Sequence, residues 1–210
     1  MIRYFLFDLD DTLYPQSAGI MREISARMNE YMIARVRIAP DEVTQLRQDY
    51  WTRFGTTLRG LYLERGVDPQ DFLNYVHAVP VEQYIQRDKR LDAMLAAFPQ
   101  AKCVFTNAPE DYARRILVAL GIEKHFAHIF DINFLQYESK PNRAAYPLVL
   151  NALSARGDEC AMIDDNLRNL VPAKELGIRT VYLRVDGRIE GGDGADIAID
   201  SIYELEKISF

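Results

Sequence analysis

The residues with the most chemical potential sit in one short run, Asp8-Leu9-Asp10-Asp11-Thr12, directly after the apolar, aromatic stretch RYFLF at 3–7. A brief apolar run closed by polar residues reads as a strand buried in a parallel sheet. Side chains alternate along a strand, so Asp8 and Asp10 are expected on one face, at the carboxyl end where open α/β sheets bind ligands. A second doublet, Asp164-Asp165, follows the apolar run CAMI at 160–163. If these strands are neighbours, ~4.8 Å apart, as many as four carboxylates converge. They cannot all stay ionised without a counter-ion. A hard divalent cation with oxygen ligands answers that need, and Mg2+ suits a phosphate-bearing site. Thr106-Asn107 closes another apolar run, and a hydroxyl, an amide and free backbone N–H groups at a helix start can hold a phosphate. Lys140, in Ser139-Lys140-Pro141 at a helix start, opposes the helix dipole and makes sense as a point charge aimed at an anion. Each feature alone also has a plain structural reading: a helix cap, a solvated loop acid or a surface lysine. Their combination points to phosphate chemistry.

Positioning these groups requires a sheet. Short apolar runs recur at 102–106, 128–132, 160–163, 179–183 and 196–199. Between them lie helical patterns at 110–120, with acids in the first turn and Gly121 past the end, at 141–154, and at 166–176 before Gly177. Pro147 and Pro172 are potential breaks in the last two. Alternating strands and helices predict an α/β fold with a doubly wound parallel sheet. Residues 17–90 read differently. Apolar positions 20, 24, 28, 31, 32 and 36 follow helical spacing, and further helices are expected at 41–54, 56–65 and 69–78, with breaks near Pro40, Gly55 and Gly66. The expected organisation is a core domain over 1–15 and 91–210, interrupted by an all-helical domain over 16–90. The stretch 186–195, DGRIEGGDGA, reads as the most flexible loop.

Composition bounds the function. The 210 residues are long enough to bury a substantial core, and 49% hydrophobic with 27% charged is an ordinary globular mix. A formal net charge of -6 argues against a nucleic-acid surface. Two cysteines, Cys103 and Cys160, make no disulfide framework and are expected to be buried apolar fillers. No run approaches the ~18 apolar residues of a membrane span, and the opening MIRYFLFDLDD lacks a signal peptide's pattern. The expectation is a soluble, cytoplasmic protein with no membrane and no obligate protein partner.

DLDDT, TN, KP and DD, in that order, each closing a core strand or opening a helix, resemble the four motifs of the haloacid dehalogenase (HAD) superfamily of phosphohydrolases. The helical insertion lies where one large group of that superfamily carries its cap, so the resemblance implies a HAD-like Rossmannoid core with an inserted helical cap. Asp10 resembles the acid/base aspartate that dehalogenases lack and ion-pumping ATPases replace by threonine. The resemblance therefore implies a Mg2+-dependent phosphomonoesterase. Asp8 is the implied nucleophile, forming an aspartyl-phosphate, and Asp10 the implied general acid and base. Mg2+ is then held by Asp8, the Asp10 carbonyl and the pair Asp164/Asp165, with Asp165 direct and Asp164 through water. Thr106, Asn107 and Lys140 hold the phosphoryl oxygens.

Segments YWTRFGTTLRGL (50–61), DFLNYVH (71–77), FTNAPEDYARRIL (105–117), IDDNLRNL (163–170) and ADIAIDSIYEL (195–205) further resemble the pyrimidine 5'-nucleotidase branch. This implies nucleoside monophosphates such as UMP or CMP as substrates; the alternative is another small phosphorylated metabolite, a sugar phosphate or phosphoglycolate. Thr57, Arg59 and Tyr62 are the candidate substrate contacts in the cap. Arg59 is as readily a surface arginine, and Tyr62 a packing residue. Trp51 reads as cap core, and His77 as packing. Two rival classes share part of the pattern. Phospho-acceptor receiver domains have an acidic Mg2+ pocket but lack a cap, and a catalytically dead binding protein need not keep Asp8, Asp10, Lys140 and Asp165 intact.

Overall fold

A computed structural model describes residues 1–184 and 194–210. Most of the glycine-rich stretch expected as a flexible loop at 186–195 lies outside them. Six strands form one sheet: β1 (Tyr4–Phe7), β2 (Ala101–Phe105), β3 (Phe126–Phe130), β4 (Cys160–Asp164), β5 (Arg179–Leu183) and β6 (Ile197–Ile199). The order is β3-β2-β1-β4-β5-β6, and every adjacent pair is parallel. Period-two alternation divides the central strands between two cores. Phe5, Phe7, Val104, Ala161 and Ile163 enter one; Leu6, Cys103, Phe105, Cys160 and Met162 enter the other. Burial on both faces is why these strands read as continuous apolar runs. The two cysteines are buried and free, on strands flanking β1 from opposite sides.

After β1 the chain leaves the sheet for four helices: α1 (Ile20–Ala34), α2 (Val43–Phe54), α3 (Thr57–Arg65) and α4 (Pro69–Val76). They pack as α1 on α4 and α2 on α3, and glycines in the left-handed region end α2 and α3, Gly55 at φ 86° and Gly66 at φ 64°. A fifth helix, α5 (Lys89–Ala97), starts just ahead of position 91 and leads into β2. It adds to the helices expected from the pattern: Asp88 accepts from the Arg90 and Leu91 amides as an N-cap, and Leu91, Met94 and Leu95 form its buried face. The remaining helices are α6 (Glu110–Leu120), α7 (Ala145–Ala152) and α8 (Leu167–Glu175). α7 begins four residues later than the pattern suggests, because a turn in which Asn142 Oδ1 accepts from the Ala144 amide precedes it. Pro147 then falls in its first turn, where an absent N–H costs nothing. Pro172 stays inside α8. No described helix is long and apolar enough to cross a membrane.

Trp51 departs from expectation: it is 41% exposed rather than core, and the Arg168 guanidinium stacks 3.9 Å over its ring. The tightest approach in the helical layer is at Gly60, where an added Cβ would lie 2.2 Å from the Tyr50 ring. On an open helix, Gly→Ala would stabilise by about 1 kcal/mol. Here overpacking against the buried Tyr50 should reverse the sign, and Gly60→Ala is expected to destabilise by about 1–3 kcal/mol. Chemical denaturation would measure this; a stabilised variant would show that α2 and α3 separate freely.

Candidate active site

β1 lies between β2 and β4, so the chain reverses direction across the sheet at its carboxyl end. Ligand crevices of open α/β sheets form at such a switch point. Phe7 is in register with Ile163, and the Asp8 amide still donates to the Ile163 carbonyl at 2.9 Å. Asp8 is thereby level with Asp164, the last residue of β4. Oxygens of Asp8, Asp164 and Asp165 lie within 4.8 Å of one another. The two strands are neighbours, as the convergence of acids required.

Among the described residues, one cation faces this group. Lys140 is 1% exposed, and its Nζ donates at 2.8 Å both to Asp8 Oδ1 and to Asp164 Oδ2. Burial alone would lower its ammonium, but Asp164 and Asp8 outweigh that and hold it above the ordinary lysine range. The lysine does not act from the surface: its position is built by Asn107. The Asn107 Nδ2 donates to the Lys140 carbonyl at 3.0 Å, and its Oδ1 accepts from the Lys140 amide at 2.8 Å. So the Asn107 side chain is occupied in holding the lysine's backbone. Thr106 is buried, and its Oγ1 accepts from the Ala108 amide at 3.0 Å. The α6 N-terminus behind it is capped by Asp131, which accepts from the Glu110 amide at 3.0 Å.

The two acids of the doublet differ. Asp164 is fully buried, and both its oxygens are engaged: Oδ1 accepts from the Asn166 amide and Asn169 Nδ2, Oδ2 from Lys140 and Asn169 Nδ2. Asp165 has one described hydrogen-bond partner, the Thr12 hydroxyl at 3.4 Å. That hydroxyl also lies 3.4 Å from Asp8 Oδ2 and accepts from the Asp165 amide at 3.2 Å. Burial raises both carboxyls of the doublet, with the charge on Asp8 adding to each and Lys140 opposing it. Three crowded carboxylates against one ammonium leave an unbalanced, all-oxygen donor set. That set fits a hard divalent cation such as Mg2+.

Asp10 does not join this cluster. The chain quits the strand after Phe7, Leu13 donates back to the Leu9 carbonyl at 3.0 Å, and Asp11 takes φ 57°. Asp10 therefore points to two tyrosines: the Tyr14 and Tyr112 hydroxyls donate to its Oδ1 at 2.5 and 2.7 Å. Burial raises its carboxyl to about 7, with Asp8 adding and the tyrosine bonds opposing. The i+4 spacing of Tyr14 from Asp10 was a readable signal for a helical turn. Tyr112 had none, because α6 carries it in from elsewhere in the chain. Thr12 was in the motif but unassigned.

Asp8, Asp10, Asp165, Thr106, Asn107 and Lys140 all line one cavity of about 320 Å3, roofed by α1–α4 through Met21, Ile24, Met28, Arg47, Trp51, Leu58 and Phe72 among others. Of the three candidate cap contacts, Thr57 lines it. Arg59 and Tyr62 do not. Arg59 donates to the Tyr137 carbonyl at 2.8 Å and pairs with Glu138 at 2.6 Å, fastening α3 to the segment that leads into Lys140. Tyr62 is 44% exposed and leans on Tyr137. His77 is buried in the cavity wall against the Tyr112 ring, and its Nδ1 lies 3.0 Å from the Leu73 carbonyl.

Comparisons with known proteins agree on the family and the fold. The family model described as a haloacid dehalogenase-like hydrolase matches residues 2–177. The chain is 26% identical over 211 residues to Phosphate metabolism protein 8 of Saccharomyces cerevisiae, covering 90% of this chain but 64% of that protein. It is 25% identical over 210 residues to Phosphoglycolate phosphatase of Xanthomonas campestris pv. campestris, covering 96% of this chain and 92% of that one. Among solved structures it is similar to the putative HAD-hydrolase YfnB of Bacillus subtilis bound to magnesium, with a TM-score of 0.68 at 17% identity over 98% of this chain and 97% of the other.

Two outcomes follow from the buried titratable groups. Lys140→Met leaves three carboxylates facing one another, and should destabilise the metal-free protein by about 3–5 kcal/mol. Adding Asp8→Asn in the same chain should recover part of that loss, which a double-mutant cycle by urea denaturation would read. The second concerns His77, whose imidazole burial lowers from 6.5 to about 4. The unfolded chain binds this proton first, so stability is full above pH 6.5 and falls as pH drops toward 4. The loss is bounded at about 3 kcal/mol. Wild type should therefore lose more stability than His77→Gln between pH 7.5 and 5, measured by the same denaturation.

Proposed function

The chain belongs to the haloacid dehalogenase-like hydrolases, and on that premise we propose that it is a phosphomonoesterase working through a phosphorylated Asp8. The observation that carries this reading is the placement of Asp8 at the end of β1, paired with a buried Lys140, level with Asp164 and open to a cavity that also holds Asp10. A carboxylate oxygen of Asp8 attacks phosphorus, forming an O–P bond as the bond to the leaving oxygen breaks. The electron pair departs on that oxygen, and the Asp10 carboxyl supplies its proton. Water then attacks the phosphorylated Asp8, giving its proton to the Asp10 carboxylate. The P–O bond to Asp8 breaks, and phosphate leaves.

Asp10 suits both halves, because a carboxyl near 7 both gives and takes a proton at neutral pH. Tyr14 and Tyr112 bind one of its oxygens and leave the other to reach the reacting atoms. Lys140, with Thr106 and the backbone at Asn107, offsets the charge on the equatorial oxygens. Mg2+ would be held by Asp8, the Asp10 carbonyl and Asp165, with Asp164 behind them, and would neutralise phosphoryl charge. The near-saturated bonding of Asp164 and the sparse bonding of Asp165 support that division. The solved relative bound to magnesium supports the choice of ion.

Two leaving groups have support. The segments resembling pyrimidine 5'-nucleotidases favour UMP or CMP, with Thr57 the candidate contact. The similarity to a phosphoglycolate phosphatase and the largely apolar roof favour a smaller phosphorylated metabolite. Phosphate release from p-nitrophenyl phosphate should require Mg2+ and vanish with EDTA and in Asp8→Asn; turnover by that variant would overturn the aspartyl-phosphate route. Asp10→Asn should cost about 10²–10⁴-fold with alkyl esters and much less with the nitrophenyl ester, whose leaving group needs no proton. A panel of nucleotides, sugar phosphates and phosphoglycolate decides the substrate.

A further inference from the structure

The roof of the cavity contains one ionised side chain among the described residues, Arg47 of α2. Around it the roof is largely apolar, formed by Met21, Ile24, Met28, Leu58 and Phe72 with the neutral hydroxyls of Thr56 and Thr57, and His77 there is held neutral by burial. Arg47 has no carboxylate within ion-pair distance among the described residues. Its hydrogen bonds are lopsided. Nη1 donates to the Ser25 carbonyl at 3.0 Å, to Ser25 Oγ at 2.9 Å and to Asn29 Oδ1 at 2.6 Å. Nη2 reaches only the Met28 sulfur at 3.4 Å, and the buried Nε has no partner. Every acceptor on the Nη1 side is a neutral oxygen, so the charge itself goes unmatched.

An arginine this placed is expensive. A sequestered guanidinium N–H without an oxygen acceptor forfeits its hydration, and a partly buried charge without a counter-charge forfeits more. The donors left over are Nε–H and Nη2–H, the pair along one edge of the guanidinium. That edge is the fork that binds a carboxylate through two parallel hydrogen bonds. The group covering it, the Met28 thioether, is a weak acceptor on a flexible side chain that also lines the cavity. Ser25 and Asn29, by binding Nη1, aim the fork and keep it from swinging to solvent.

We propose that Arg47 is the specificity residue of this site and selects phosphate monoesters whose leaving group carries a carboxylate. The inference rests on the phosphomonoesterase reading and chooses among its leaving groups. The phosphoryl group lies at the Asp8 and Lys140 end of the cavity, and the carboxylate takes the Nε–Nη2 edge as Met28 swings aside. A neutral leaving group of equal size leaves that edge unmatched.

The test compares phosphonoacetate with phosphonoacetamide, which differ by the carboxylate alone and are not turned over, by calorimetry on the full chain with saturating Mg2+. Wild type should bind phosphonoacetate at least tenfold more tightly, and Arg47→Gln should bring the ratio to within about twofold of one. Arg47→Lys, which keeps the charge and loses the fork, should fall between. A purely structural Arg47 would weaken both ligands alike and leave the ratio intact, which would overturn the proposal, as would equal or no binding of the two by wild type. Hydrolysis of p-nitrophenyl phosphate separates the two readings. Turnover without a phosphonoacetate preference overturns the carboxylate site alone, while a preference without turnover of any ester upholds that site and overturns the phosphomonoesterase.

Discussion

Three carboxylates from two adjacent strands share one buried ammonium, and the rest of the site is organised by that imbalance. Asp8 and Asp164 come within reach because β1 and β4 are in register, and Lys140 bridges them from a loop beyond β3. Bringing like charges together in a dry crevice is costly unless opposite charge is fixed beside them. The fold commits several groups to fixing it. Asn107 grips both backbone polar atoms of Lys140, Asn169 satisfies both oxygens of Asp164, and the Thr12 hydroxyl stands between Asp8 and Asp165. What is left over is negative charge on an all-oxygen donor set that fits a hard cation.

Separation of the two aspartates in the first motif follows from the same constraint. A fourth carboxylate in the cluster would add a like charge without adding a partner. The turn at Asp11 sends Asp10 to Tyr14 and Tyr112 instead. One carboxylate is thereby kept beside a cation, while the other is held by neutral donors with its carboxyl near neutrality.

The helical layer is fastened to the core beside this machinery. Arg59 pairs with Glu138 and the Tyr137 carbonyl, two and three residues before Lys140, and Arg168 donates to the carbonyls of Trp51 and Thr52 while stacking on the Trp51 ring. An arginine read from sequence as a substrate contact thus serves as a clasp. Within α1–α4 the arginine that does line the cavity, Arg47, stands twelve residues earlier, on α2.

The amino-acid sequence by itself determined the α/β alternation, the helical insertion, and the four polar clusters that end strands or begin helices. Those features are local: apolar runs, turn residues and acids at strand ends carry their meaning within a few neighbours. Asp8, Lys140, Asp164 and Asp165 could be named from it because a buried carboxylate cluster has few chemical uses. Tertiary structure decided whatever depends on which segments meet. It took Asp10 out of the charge cluster, engaged the Asn107 side chain as the clamp on the Lys140 backbone, and supplied Tyr112 from α6. It also exposed Trp51, kept Arg59 out of the cavity and put Arg47, which nothing in the sequence singled out, into its lining. An arginine's place on a helix says nothing about which wall that helix presents or whether an acid waits opposite; only the packing of α2 and α3 against the core settles it.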